Sequence, residues 1–244
     1  AVGFRFLHAV AHVVILLVAM VPASIILPHT PVVLASLTLT SLVIGGAAVF
    51  LLSQHRDGIF EGAMGKLNLM RPEFVVSVGD LIEGYTDDGA LLDREWDEFE
   101  GLVGRLQMPF FYVPGNHDMS NAVMAEKWQR RFGPSFYHFS YKGVLFLALN
   151  SELFGLVHDP KTSLPGPWTQ ADQMAFIERT LADNASARWT FVLLHQPLWD
   201  SPQPNPDWGK VEALLKERPH TVFAGHFHRN TQHIRNDQQY ITLA

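Results

Sequence analysis

Short apolar runs in this chain repeatedly end in a small residue followed by a metal-capable side chain, and this pattern constrains the fold more than any other. Residues 74–78 lead into Gly79-Asp80, and residues 110–113 lead through Pro114-Gly115 into Asn116-His117-Asp118. Residues 189–194 deliver His195, and residues 221–224 deliver Gly225-His226-Phe227-His228. Runs of this length, rich in β-branched and aromatic residues, read as buried strands. Ligand crevices of open α/β sheets lie at the carboxyl ends of their strands. The glycines suit a chain that must leave a strand and pass close to an ion.

The donors are carboxylate, amide and imidazole, and the chain has no cysteine. Imidazole with oxygen favours borderline ions such as Mn, Fe, Zn or Co over Ca, and the lack of thiolate argues against a structural zinc knot. So many donors exceed what one catalytic ion needs. Two ions bridged by one carboxylate would use them, a device that recurs in phosphoester hydrolysis.

Separately, each piece has a bland reading. Gly79-Asp80 is a common strand-to-loop turn, and a lone His195 is more often packed than ligating. His226 and His228 alternate along an extended segment and so point the same way. Their order along the chain, after Gly115-Asn116-His117-Asp118, carries the weight.

This ordered set resembles the calcineurin-like metallophosphoesterase superfamily over roughly residues 56–244. The resemblance implies an α/β fold, a layered α-β-β-α sandwich, here with an apolar N-terminal extension. It implies two divalent ions (Mn, Fe or Zn) and a phosphomonoester or phosphodiester substrate. It also implies that Asp80 bridges the ions, that Asn116, His195 and His226 complete one site, and that His228 belongs to the other. His117 would contact the phosphate or protonate the leaving oxygen, with Asp118 orienting its imidazole. A water made acidic between two cations is a nucleophile at neutral pH, and an imidazole has the pKa range to protonate a departing alkoxide.

The family's first motif, an Asp closely followed by a His, departs from its usual form. Ser53 or Gln54 stands where the Asp is expected, and His55 is left as a candidate ligand. The first site is therefore expected to bind its ion more weakly. A degenerate member that binds metal or a phosphorylated ligand without turnover is the alternative.

No Asp, Glu, Lys or Arg occurs between Arg5 and Arg56. Residues 9–27 and 32–52 are two apolar stretches close to the roughly 20 residues a bilayer needs. Residues 1–52 therefore read as a transmembrane hairpin, as a non-native start, or as a secretory leader. Residues 53–244 read as the phosphoesterase domain, stopping inside a strand after which more strands are expected. A membrane-associated or secreted location is compatible with this pattern. The net charge of −6 gives no electrostatic footprint for nucleic acid.

Periodicity predicts an amphipathic helix over 90–107, a helix begun by Asp57 and stopped at Arg71-Pro72, and a capping box of Thr169 with Asp172. A hairpin is expected over 137–149, turning at Lys142-Gly143. The irregular stretches 153–167 and 199–208 are expected at the rim of the site. There Trp168, Trp199 and Trp208 could line a pocket. His138, His158, His220 and His233 read as ordinary surface or loop residues, and Glu83 as a solvent-facing or loop-stabilising carboxylate.

Overall fold

An apolar strand buried on both faces needs a layer on each side of it, and the computed structural model supplies those layers. It describes residues 59–154, 168–200 and 205–243, with the two-residue strand at 16–17. In chain order the first half contains β1 (Leu16–Leu17), α1 (Ile59–Met70), β2 (Val75–Val76), α2 (Gly89–Val103), β3 (Phe110–Phe111) and α3 (Ala122–Phe132). The second half contains β4 (Tyr137–Tyr141), β5 (Val144–Ala148), a 3-10 turn (Ser151–Phe154), α4 (Gln170–Asp183), β6 (Trp189–Leu193), α5 (Pro206–Leu215), β7 (His220–Ala224), β8 (Thr231–Arg235) and β9 (Gln238–Thr242).

Two sheets face each other. The smaller has the order β1-β2-β3, and the larger β4-β5-β6-β7-β9-β8. Strands β5, β6, β7 and β9 are mutually parallel, as are β2 and β3. The expected hairpin forms between β4 and β5, with Tyr141 opposite Val144. Its turn residues Lys142 and Gly143 have φ of 48° and 76°, the mirror-image turn that matches strand twist.

Phe74, Val76, Val78, Val113, Phe146, Leu193, Phe223 and Ile241 fill the space between the sheets. Phe139 stacks on Phe111 at 4.0 Å and on Phe146 at 4.7 Å, bridging the two layers. Helices α1 to α3 cover the outer face of the small sheet through Met64, Leu92, Trp96, Met124 and Trp128. Helices α4 and α5 cover the large sheet through Ile177, Leu181, Trp208 and Val211. The result is the expected layered α-β-β-α sandwich.

Asp88 caps α2, accepting from the N–H groups of Ala90 and Leu91, and Leu92, Trp96, Phe99 and Val103 form its buried stripe. The helix ends at Gly104, short of the expected 107. Leu106 and Met108 still pack on the core beyond it, so the apolar pattern outlasts the helix. The capping box at Thr169 and Asp172 is present.

His220 departs from its surface reading. It is buried at the start of β7, where its Nδ1–H donates to the Arg218 carbonyl (2.8 Å) and its Nε2 meets the Tyr240 hydroxyl (3.3 Å). Burial lowers its pKa below the ordinary 6.5. The fold therefore favours the neutral ring: the contribution is full above about pH 6.5 and is lost as pH falls below it, by at most about 1.4 kcal/mol per unit for one proton. His220→Gln is expected to flatten this acid limb of stability, measured by denaturant unfolding between pH 7 and 5.

Trp199 and Trp208 also depart from expectation, being buried with Tyr240 under the helical layer rather than lining a pocket. Trp168 donates its indole N–H to Gln129. Residues 155–167 and 201–204 of the two expected rim loops lie outside the described residues, as do Asp57, His158 and the apolar stretches apart from β1. Among the described residues, no helix is long and apolar enough to cross a membrane.

Candidate metal centre

The loops that follow β2, β3, β6 and β7 meet at one end of the sandwich. Their closeness explains the glycines. A Cβ on Gly79 would lie 2.6 Å from His195 Nδ1, and one on Gly115 would lie 2.3 Å from Asp80 Oδ1. Asp80, Tyr85, His226 and His228 all adopt left-handed backbone, with φ between 50° and 72°. Such conformations cost about 1–3 kcal/mol each and persist only where the surroundings enforce them, commonly at functional sites.

Four donor residues converge. His195 Nε2 lies 3.2 Å from Asp80 Oδ2 and 3.2 Å from His226 Nδ1, and His226 Nδ1 lies 2.9 Å from Asn116 Oδ1. His195 donates its Nδ1–H to the Val78 carbonyl at 2.8 Å, which turns the Nε2 lone pair inward, the usual arrangement behind a metal-ligating histidine. The Asn116 amide N–H bonds the Tyr85 hydroxyl, so Oδ1 is the atom presented inward. Lone pairs from a carboxylate, an amide and two imidazoles facing one another form a donor set that fits a borderline divalent cation.

The charges agree. Burial opposes ionisation of Asp80, but His195 and the His117 backbone N–H (3.1 Å) outweigh it and hold the carboxyl at about 2. Burial likewise opposes a charged His195, yet the Asp80 carboxylate raises it to about 8. Burial and the His195 charge push His226 down to about 4. An entering cation must therefore displace the His195 proton. Mn affinity is expected to rise about tenfold per pH unit up to roughly pH 8 and then level off, with one proton released per ion at neutral pH. Isothermal titration in buffers of different ionisation enthalpy measures both effects.

Asp118 has a different task from orienting His117. The 115–118 segment turns back on itself, with the Asp118 N–H on the Gly115 carbonyl. This carries the carboxylate away from the imidazole. Asp118 Oδ1 accepts from the N–H groups of Leu81 (2.8 Å) and Ile82 (3.2 Å), and Oδ2 from Gly115 (2.7 Å). It ties the loop carrying Asp80 to the loop carrying Asn116. Burial, with the Asp80 charge, raises its pKa to about 7. The His117 imidazole is oriented instead by the Glu83 carbonyl, which accepts from Nδ1 at 2.7 Å.

His117 is half-buried beside Asp80. His228 is exposed, outside the tight cluster of Asp80, His195 and His226, although the charges of Asp80, His195 and His117 reach it. His55, the remaining candidate ligand, lies outside the described residues.

Two participants escaped the sequence reading. Tyr85 bonds Asn116 and meets the His117 ring edge-on at 4.4 Å. Nothing in a single loop aromatic announces this. Glu152 is buried, and its carboxylate accepts from Gln196 Nε2 (2.6 Å) and Ser151 Oγ (3.2 Å), next to His195 in sequence. Burial raises its pKa, opposed by the His195 charge. The signal for Glu152 was available, since β5 too is an apolar run ending in polar residues.

Comparison with known proteins agrees with this geometry. The chain is 28% identical over 189 residues to the serine/threonine-protein phosphatase CPPED1 of Homo sapiens, covering 69% of this chain and 57% of that protein. It is 25% identical over 183 residues to the 3',5'-cyclic adenosine monophosphate phosphodiesterase CpdA of Escherichia coli K12, covering 70% of this chain and 61% of that protein. The chain thus spans less than two thirds of the length of these relatives. Among solved structures, a dimetal phosphatase from Danio rerio superposes with a TM-score of 0.58 at 15% identity, covering 76% of this chain and 77% of that one. GAP50 of Plasmodium, the anchor in the inner membrane complex, superposes with a TM-score of 0.51 at 20% identity, covering 78% and 67%. The family model for calcineurin-like phosphoesterases matches residues 54–230, and the chain belongs to that family.

Proposed function

We propose that this chain is a metal-dependent phosphoesterase, acting on a phosphomonoester or phosphodiester. The observation that carries the reading is the run of contacts of 3.2 Å or less that joins donor atoms of Asp80 to His195, His195 to His226 and His226 to Asn116, with His117 beside them. Asp80, Asn116, His195 and His226 would hold one ion, and His228, with His55, would serve a second that shares Asp80. Bound ions supply positive charge to the phosphoryl oxygens and an acidified water.

The protein's own residues do the rest. Asp118 holds the two ligand-bearing loops in register through three backbone N–H groups. Val78 fixes the His195 tautomer, and Tyr85 fixes the Asn116 amide. His117, anchored at Nδ1 by Glu83, is left with Nε2 to donate a proton to the departing ester oxygen.

The test is hydrolysis of a panel of phosphomonoesters and phosphodiesters by the Mn-loaded full chain. Turnover that disappears on chelation and returns with Mn supports the reading, and a folded, loaded protein inert on every ester contradicts it. The second reading, a binding protein without turnover, is favoured by Ser53-Gln54 in place of the family's first Asp. Ser53→Asp or Gln54→Asp separates the two: a large gain in rate marks an enzyme with an impaired first site.

A further inference from the structure

The Gly84-Tyr85 turn places a tyrosine in left-handed backbone without a local reason. Gly84 has φ 60°, and a Cβ there would lie 1.6 Å from the His117 carbonyl oxygen; Tyr85 follows with φ 50°. An aromatic residue in the left-handed region is a genuine outlier, and its surroundings hold it there. The hydroxyl takes the Asn116 amide N–H, and the ring edge meets His117. Even so, Tyr85 is 58% exposed.

That exposed surface lines a cavity of about 440 Å³, together with Thr86, Asp87, Asn121, Ala122 and Val123. Much of the polar lining is spent internally. Asn121 Oδ1 caps α3 on the Met124 N–H (3.0 Å), its Nδ2 donates to the Thr86 carbonyl (3.0 Å), and Thr86 Oγ1 accepts from Asp88 (3.1 Å). A guest meets an aromatic face, the apolar Ala122 and Val123, and the Asp87 carboxylate. Among the described residues no cationic side chain lines the cavity, and this lining suits a planar, apolar group and disfavours one carrying a second negative charge.

We propose that Tyr85 and this cavity form the leaving-group subsite and select aryl phosphates. The inference rests on the phosphoesterase reading. His117 protonates the leaving oxygen in that reading, and Tyr85 touches both His117 and the Asn116 donor, so a ring stacked on Tyr85 is joined directly to the ester oxygen. In the reaction the water oxygen bonds to phosphorus and the P–O(aryl) bond breaks, its electron pair passing to the phenolic oxygen. That oxygen takes the proton from His117 Nε2, and the proton lost by the attacking water restores His117 through solvent.

The test compares kcat/KM for phenyl phosphate and ethyl phosphate in the Mn-loaded full chain as a ratio, because damage to the His117 acid slows the alkyl ester more and raises this ratio, the opposite of what loss of the subsite does. Tyr85→Ala is expected to lower the phenyl-to-ethyl ratio about five- to tenfold, the worth of one aromatic pair. Tyr85→Phe keeps the ring and is expected to keep the ratio while slowing both esters. Asp87→Lys, at an exposed position, is expected to raise 4-carboxyphenyl phosphate over phenyl phosphate several-fold. Ratios unmoved in Tyr85→Ala and Asp87→Lys, with both esters hydrolysed, overturn the subsite and leave the phosphoesterase reading standing. Calorimetric binding of phenylphosphonate and ethylphosphonate reads the subsite without turnover: a Tyr85-dependent preference for the phenyl compound in a protein that hydrolyses neither ester keeps the subsite and removes the phosphoesterase reading.

Discussion

Asp80→Ala is expected to strip the metal and lower kcat/KM by about a thousandfold or more, because several kcal/mol of transition-state charge stabilisation leave with the ions. Asp80 has no substitute. Its Oδ2 faces His195 Nε2 and its Oδ1 accepts the His117 backbone N–H, so one carboxylate touches a candidate ligand and anchors the backbone of His117. Removing it also releases His195 from the charge that raises its pKa to about 8. The paired observation is therefore a His195 ring that stays neutral at pH 7, read by NMR titration of the metal-free variant. Wild-type His195 should be mostly protonated under the same conditions.

His117→Ala is the second large effect, with a different signature. A positioned general acid contributes about 10²–10⁴-fold, and kcat should fall within that range. Metal content should be retained, since the imidazole is held by the Glu83 carbonyl and not among the converging donors. The loss should be greater for alkyl than for aryl esters, because a phenolate departs without full protonation. Loss of metal in this variant, or equal losses for both esters, would move His117 out of the acid role.

Much of the site was legible in the sequence because strands end abruptly. Asp80, Asn116 and His226 each follow a glycine that lets the chain leave its strand, and His195 directly follows the apolar run that ends at Leu194. The layers were legible for a related reason, since Phe74, Val76, Phe146 and Phe223 are apolar on positions that only a two-sheet core can bury. What the sequence concealed was set by turns and edges. Asp118 adjoins His117 in sequence, yet the turn sends its carboxylate to the backbone of Leu81 and Ile82. Strand β8 lies at the sheet edge, and its residues alternate between exposed and half-buried, so no apolar run marks it. Tyr85 matters because of its left-handed backbone and an amide 31 residues away, neither of which has a local signature.

At the place where the sequence reading expects the family's first-motif carboxylate stand Ser53 and Gln54, which lie outside the described residues. Glu152 adds a buried carboxylate that feels the charges of His195 and Asp80.

The most direct measurement is the metal retained per chain after loading with Mn and exhaustive dialysis at pH 8, for the wild-type full chain and for Asp80→Ala. At least one retained equivalent in the wild type, absent from the variant, is the result this site predicts. A folded wild-type protein that retains no metal, or a variant that retains as much, would contradict a metal centre built on Asp80, Asn116, His195 and His226.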